Sequence, residues 1–315
     1  MLTSQEGKPS FVAGELDHSD EDVYSRDAIR GQLQVLKEYA AGNMNVDECA
    51  SRITFHTANT ASNDGATPED VYDAVSTLIR TLHHSAIMNP TFQPIIMDLL
   101  EVIQRLPAQG VPSEGEGIDW VAIGDENNKL WADWPLFLAN LTDTYMWEEH
   151  LFLESQGADS QKDTKAATER WASANAWVAR LVSSGNKKIG DTIFLHNASY
   201  RILRVLDVEG HPHFTGEVPA AANLFRYAAL ILLSLSREQP PPPDPPIGVY
   251  SSKAKEYSED RKVLWSEPGY SVSRWRWWKT RWSQLAEVGD PDIVPHAREA
   301  LVAMEEAEVK LGYEV

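Results

Sequence analysis

Thr67-Pro68-Glu69-Asp70-Val71-Tyr72-Asp73-Ala74-Val75-Ser76-Thr77-Leu78-Ile79-Arg80-Thr81-Leu82 reads as a complete helix start followed by a helix face. Thr67 can cap the first unpaired backbone N–H groups. Pro68 takes the first helical position, where its missing N–H costs nothing. Glu69 and Asp70 set negative charge against the positive end of the helix. Val71, Val75, Leu78, Ile79 and Leu82 then recur at helical spacing and mark one buried stripe. The same pattern runs outward in both directions, and it predicts an all-α fold.

Upstream, Ser19-Asp20-Glu21-Asp22 starts a helix carrying Val23, Ile29, Leu33, Leu36 and Tyr39, and Asn45 caps a second through about Thr57. Downstream, Pro94 to Leu106 forms a very apolar helix ended by Pro107. Further helices are predicted over Trp134 to Leu153, Asp163 to Val182, Ile189 to Val208, Val218 to Arg237, Ser273 to Val288 and Asp292 to Leu311. No alternating strand pattern and no repeat of fixed period is present. The expectation is a single globular multi-helix domain of about ten helices. A flexible N-terminus (1–18) precedes a helical subdomain (19–106), the Pro- and Gly-rich loop at 107–118 can divide it from the remainder (119–315), and Gln239-Pro-Pro-Pro-Pro-Asp-Pro-Pro246 is an extended connector.

The chain has 315 residues, is 43% hydrophobic and carries a net charge of −19. Phosphate backbones and anionic membrane surfaces repel so acidic a protein, so neither nucleic acid nor membrane insertion is expected. Val218 to Leu235 is interrupted by Asn223 and Arg226 and reads as a core helix. A single cysteine, Cys49, excludes a disulfide framework. The segment before Gly14 has no basic and apolar leader pattern, and the expected location is cytoplasmic.

Several familiar catalytic patterns are missing: no GxSxG elbow, no P-loop, no HExxH. The only Glu-x-x-His pair, Glu15 to His18, precedes the first helix signal. His83 and His84 are adjacent and point in different directions from one helix, so they read as surface or core residues.

Three constellations remain. The first is Arg274-Trp275-Arg276-Trp277-Trp278-Lys279-Thr280-Arg281-Trp282. Trp275, Trp278, Trp282 and Leu285 share one helical face, and Lys279 sits on its border beside the indoles. From Ser251 to Arg281 there are eight basic residues (Lys253, Lys255, Arg261, Lys262, Arg274, Arg276, Lys279, Arg281) against four acids (Glu256, Glu259, Asp260, Glu267). A positive patch on an acidic chain suits a small anion; equally, it suits a basic helix bridged to the acidic body with its tryptophans in the core. The second is Asp143, Glu148 and Glu149, which can hold Mg²⁺ or form a solvated acidic face. The third is Asn197 and Arg201, four residues apart on an apolar helix, as substrate contacts or a paired core.

At Arg274-Trp275-x-x-Trp278-Lys279-x-Arg281 the chain resembles a fungal all-helical family classed as a domain of unknown function. Leu130-Trp131-Ala-Asp-Trp-Pro135, Trp177-Val-Ala-Arg-Leu181 and Ala220-Ala-Ala-Asn-Leu-Phe-Arg-Tyr227 point the same way, so the likeness spans roughly residues 20–310. The chain also resembles the atypical humulene synthases of fungal tropolone sesquiterpenoid pathways. That resemblance implies a class I-like sesquiterpene cyclase that ionises farnesyl diphosphate with Mg²⁺, with Lys279 as the essential lysine. The position one turn earlier, which controls product geometry there, is here Trp275, a bulky departure. The signatures DDxxD and (N/D)DxxSxxxE are missing.

The expected roles follow. Lys279, with Arg276 and Arg281, grips diphosphate; Trp275 and Trp278 shape an aromatic pocket in which ring faces stabilise a carbocation. Asn197 and Arg201 contribute to substrate binding, and Asp143, Glu148 and Glu149 hold the metal. The partner is a small anionic and apolar substrate such as a prenyl diphosphate. The alternatives are a non-catalytic helical binding or scaffold protein, and a cofactor-independent secondary-metabolism enzyme acting on another small molecule.

Overall fold

The computed structural model describes residues 23–63, 65–107, 130–131, 134, 136–145, 161–190, 202–207, 209, 214–238, 264 and 269–313. Most of these residues are helical, with no strand among them. The chain divides into two compact units, Met1–Trp147 and Glu148–Val315. The Pro-rich run at 239–246 and, of the loop expected at 107–118, residues 108–118 lie outside the described residues.

The first unit contains α1 (Val23–Ala40), α2 (Val46–Ala61), α3 (Pro68–Met88), α4 (Gln93–Gln104) and α5 (Phe137–Tyr145). Its helix starts follow the local chemistry. The Asn45 side chain accepts from the Glu48 N–H at 2.8 Å. Thr67 and Asp70 satisfy each other's backbone N–H groups in a reciprocal capping box. Val71, Val75, Leu78, Ile79 and Leu82 are all buried, so the α3 stripe faces the core. Helices α1, α2 and α3 pack against one another, α4 packs on α2, and α5 packs on α3.

Several boundaries differ from the sequence pattern: the helix expected from Val218 begins at Phe214, and Ile189, expected to open a helix, lies in a turn. Helix α2 runs four residues past Thr57, because Thr57 and Thr60 are buried and continue its inward face. Helix α5 begins at Phe137, not Trp134. Trp134 and Leu136, on either side of Pro135, have left-handed backbone (φ 45° and 65°), which a helix start at Trp134 cannot accommodate. Both side chains are buried, and burial is what holds this unusual turn.

The second unit contains α6 (Gln161–Ser183), a π-helical turn (Leu203–Asp207), α7 (Phe214–Arg237), α8 (Val272–Leu285) and α9 (Val294–Lys310). The apolar α7 is the hub, packed on α6 and α9 and touching α8 and the π turn. Asn223 donates to the Ala172 carbonyl at 2.8 Å and fixes the register of α7 on α6. A kink at Ala228 (φ −126°, ψ 16°) interrupts α7, and the Ser183 hydroxyl donates to the Tyr227 carbonyl beside it. Helix α6 stops at Ser183, and Gly185 just beyond it has φ +70°, the conformation glycine supplies without strain. The turn then folds back so closely that a Cβ on Gly190 would lie 2.2 Å from the Leu181 carbonyl oxygen.

Candidate functional site

Helix α8 carries the Arg-Trp-rich signature and starts at Ser271, whose hydroxyl accepts from the Arg274 N–H at 3.1 Å. Trp275, Trp278 and Trp282 are fully buried. Their rings surround Phe225 of α7, with centroids at 6.1, 5.6 and 5.7 Å. Tyr270 adds an edge contact to Trp278. This is a close-packed aromatic cluster in offset and edge-on geometry.

Two buried carboxylates organise the polar atoms of the signature. Glu308, from α9, accepts from Trp275 Nε1 at 2.9 Å and from Lys279 Nζ at 2.7 Å. The Lys279 side chain is 25% exposed, so its ammonium sits at the rim of the core and not in bulk water. Asp207, the last residue of the π turn, accepts from Arg274 Nη2 at 2.7 Å, Trp277 Nε1 at 3.1 Å and Trp278 Nε1 at 3.2 Å. Arg274 also donates to the Gly269 carbonyl, and its guanidinium lies over the Trp278 ring at 5.2 Å. Burial raises the Asp207 carboxyl above its usual range, while Arg274 and the two indole N–H groups oppose that shift. The Asp207 carbonyl further accepts from the Leu264 N–H at 2.7 Å, which ties the segment before α8 to the same point.

Sequence periodicity brings Trp275, Trp278, Trp282 and Leu285 to one face, and all four are buried there. Arg274 is drawn inward as well, by Asp207. Arg276 points to solvent. Arg281 bonds Gln284 and lies over the Trp277 ring at 5.9 Å. Asp143 lies on α5 in the first unit. Glu148, Glu149, Asn197 and Arg201 lie outside the described residues. Neither Asp207 nor Glu308 stood out in the sequence. Asp207 closes a mostly apolar stretch, Ile202-Leu203-Arg204-Val205-Leu206, and that stretch is the one local hint of a buried acid; Glu308 is one of several acids on α9.

Among the described residues no group of three His, Cys, Asp or Glu side chains converges as a metal site. Each carboxylate oxygen beside the signature already accepts from a nitrogen donor, so Asp207 and Glu308 do not fit Mg²⁺ as they stand. The arrangement does one thing chemically: it joins α8 to the π turn and to α9 through charge-assisted bonds shielded by aromatic rings.

One family model matches residues 74–282, from α3 to Trp282 of the signature, and that family is described as a protein of unknown function (DUF3632). No curated protein matches the chain. No solved structure matches it.

Proposed function

The chain belongs to the DUF3632 family, and from that premise we propose that it is a non-catalytic helical binding or scaffold protein whose Arg-Trp-rich signature closes the fold instead of handling a substrate. One observation carries this reading. Lys279, the cation that a diphosphate would need, is bonded to Glu308 at 2.7 Å, and its neighbouring indoles are packed on Phe225. A cyclase in this place would have to break that pair and open the aromatic cluster before substrate could enter. Both steps cost stability: a buried carboxylate loses its counter-ion, and ring contacts are surrendered.

Incubation of the full chain with farnesyl diphosphate and Mg²⁺, followed by gas chromatography of the organic extract, separates the two readings. The expected result is no hydrocarbon above a boiled control. A terpene product that disappears in a folded Lys279→Ala variant would overturn the scaffold reading and establish the cyclase in its place.

A further inference from the structure

We propose that Arg180 and Arg226, arranged around the Tyr227 ring, form a binding site for a small oxyanion, a phosphate ester or a carboxylate. The Arg180 Cζ lies 3.8 Å from the Tyr227 ring centroid, a close cation–π stack. The Arg226 Cζ lies 5.2 Å from the same centroid. Two guanidinium groups thus share one ring, in a chain whose net charge is −19.

Their partners differ. Arg180 is half-buried, and its side chain has no hydrogen bond or carboxylate partner among the described residues; its Nε is fully enclosed. Stacking on Tyr227 holds the guanidinium plane still, yet leaves the in-plane N–H donors of Nη1 and Nη2 unspent, in the planar fork that suits a carboxylate or phosphate. Arg226 is bridged to Glu299 at 3.1 Å, with side chains 46% and 44% exposed. So exposed a bridge is weak and exchangeable. The local frame is rigid: the Ser183 hydroxyl bonds the Tyr227 carbonyl at the α7 kink, and Gly190 seats the turn after α6 against Leu181. The segments Trp177 to Leu181 and Ala220 to Tyr227, far apart in the chain, meet here.

The site uses none of the α8 signature, so its test is independent of the farnesyl diphosphate result. The location of Arg180 in the last turn of α6 also suits the helix dipole. A role confined to the dipole predicts no saturable anion binding. Isothermal titration of the full chain at low ionic strength, with inorganic phosphate in one arm and acetate in the other, distinguishes the ligand chemistries. One saturable site is expected in at least one arm. Arg180→Ala should weaken it by about ten-fold or more, and Arg226→Ala by less. Glu299→Gln, on the surface and harmless to folding, should tighten it by a few-fold, because it frees Arg226 for the anion. No saturation in either arm overturns the assignment. So does wild-type affinity in a folded Arg180→Ala protein or, should that variant not fold, unchanged affinity in Glu299→Gln.

Discussion

Arg274 Nη2 lies 2.7 Å from Asp207 Oδ2, and neither side chain is more than 3% exposed. The pair therefore operates in the low-dielectric interior, where an intact ion pair roughly breaks even against apolar packing but a broken one is very costly. Three nitrogens converge on that carboxylate from α8, so a single acid orients the helix. Specificity of docking, more than net stability, is what such a pair contributes.

Removing one partner should thus be far worse than removing both. Asp207→Leu is expected to cost about 3–5 kcal/mol by leaving Arg274 buried and uncompensated, whereas adding Arg274→Met to it should recover most of that loss. Urea denaturation of the two single variants and the double variant provides the cycle; additive losses would contradict it.

The Lys279–Glu308 pair is nearer the surface and should matter less. Lys279→Met is expected to lower stability by about 1–2 kcal/mol, since Glu308 keeps its bond from Trp275. Glu308→Ala should cost more, because both Trp275 Nε1 and Lys279 lose their acceptor. Thermal melts rank the two; the reverse order would mean that Trp275 finds another partner.

His83 predicts an acid-sensitive window. Its ring is fully buried, packed edge-on to Phe137 at 4.4 Å, and its Nε2–H donates to the Phe137 carbonyl at 3.3 Å. Burial pushes its pKa down to about 4, from 6.5 in the unfolded chain. Between those values the unfolded state binds the proton more readily, so stability is fully present above pH 6.5 and is lost as pH falls through about 4. The loss should be on the order of 3 kcal/mol. Urea midpoints from pH 7 to pH 4 should fall more steeply in the wild type than in His83→Gln; equal slopes would rule the histidine out.

Two glycines should answer oppositely to alanine. Gly31 lies in the middle of exposed α1 surface with nothing within 4 Å of a new Cβ, so Gly31→Ala should stabilise by about 0.5–1 kcal/mol. Gly190→Ala puts that carbon 2.2 Å from the Leu181 carbonyl oxygen, a backbone atom that cannot swing aside. It should destabilise by several kcal/mol, or roughly 10 °C or more in Tm. A neutral Gly190→Ala would mean that the turn after α6 can move away.

Gln32 is buried on α1, and neither its amide oxygen nor its nitrogen has a partner among the described residues. Unpaired amides in apolar surroundings cost free energy that water would otherwise offset. Gln32→Met, close in shape, should therefore raise stability by about 1 kcal/mol or more. A loss in the urea midpoint would indicate a bridging water at that position.

Local chemistry accounts for most of what is helical in this chain. The capping box at Thr67 and Asp70, the Asn45 cap and the periodic stripe from Val71 to Leu82 act between residues at most a few turns apart, so the sequence by itself determined these helices and the buried face of α8. It could not show that Trp134 and Leu136 bend the chain before α5, because that turn persists through burial by distant residues. Nor could it show which acids meet the signature. Asp207 lies 67 residues from Arg274, and Glu308 lies 29 residues from Lys279. An amphipathic pattern states that a helix has an inner face but not what the face touches. Only the packing of α8 against α7, α9 and the π turn decided that these cations would be paired, since a charge in the interior takes its partner from whichever element the fold brings within bonding distance.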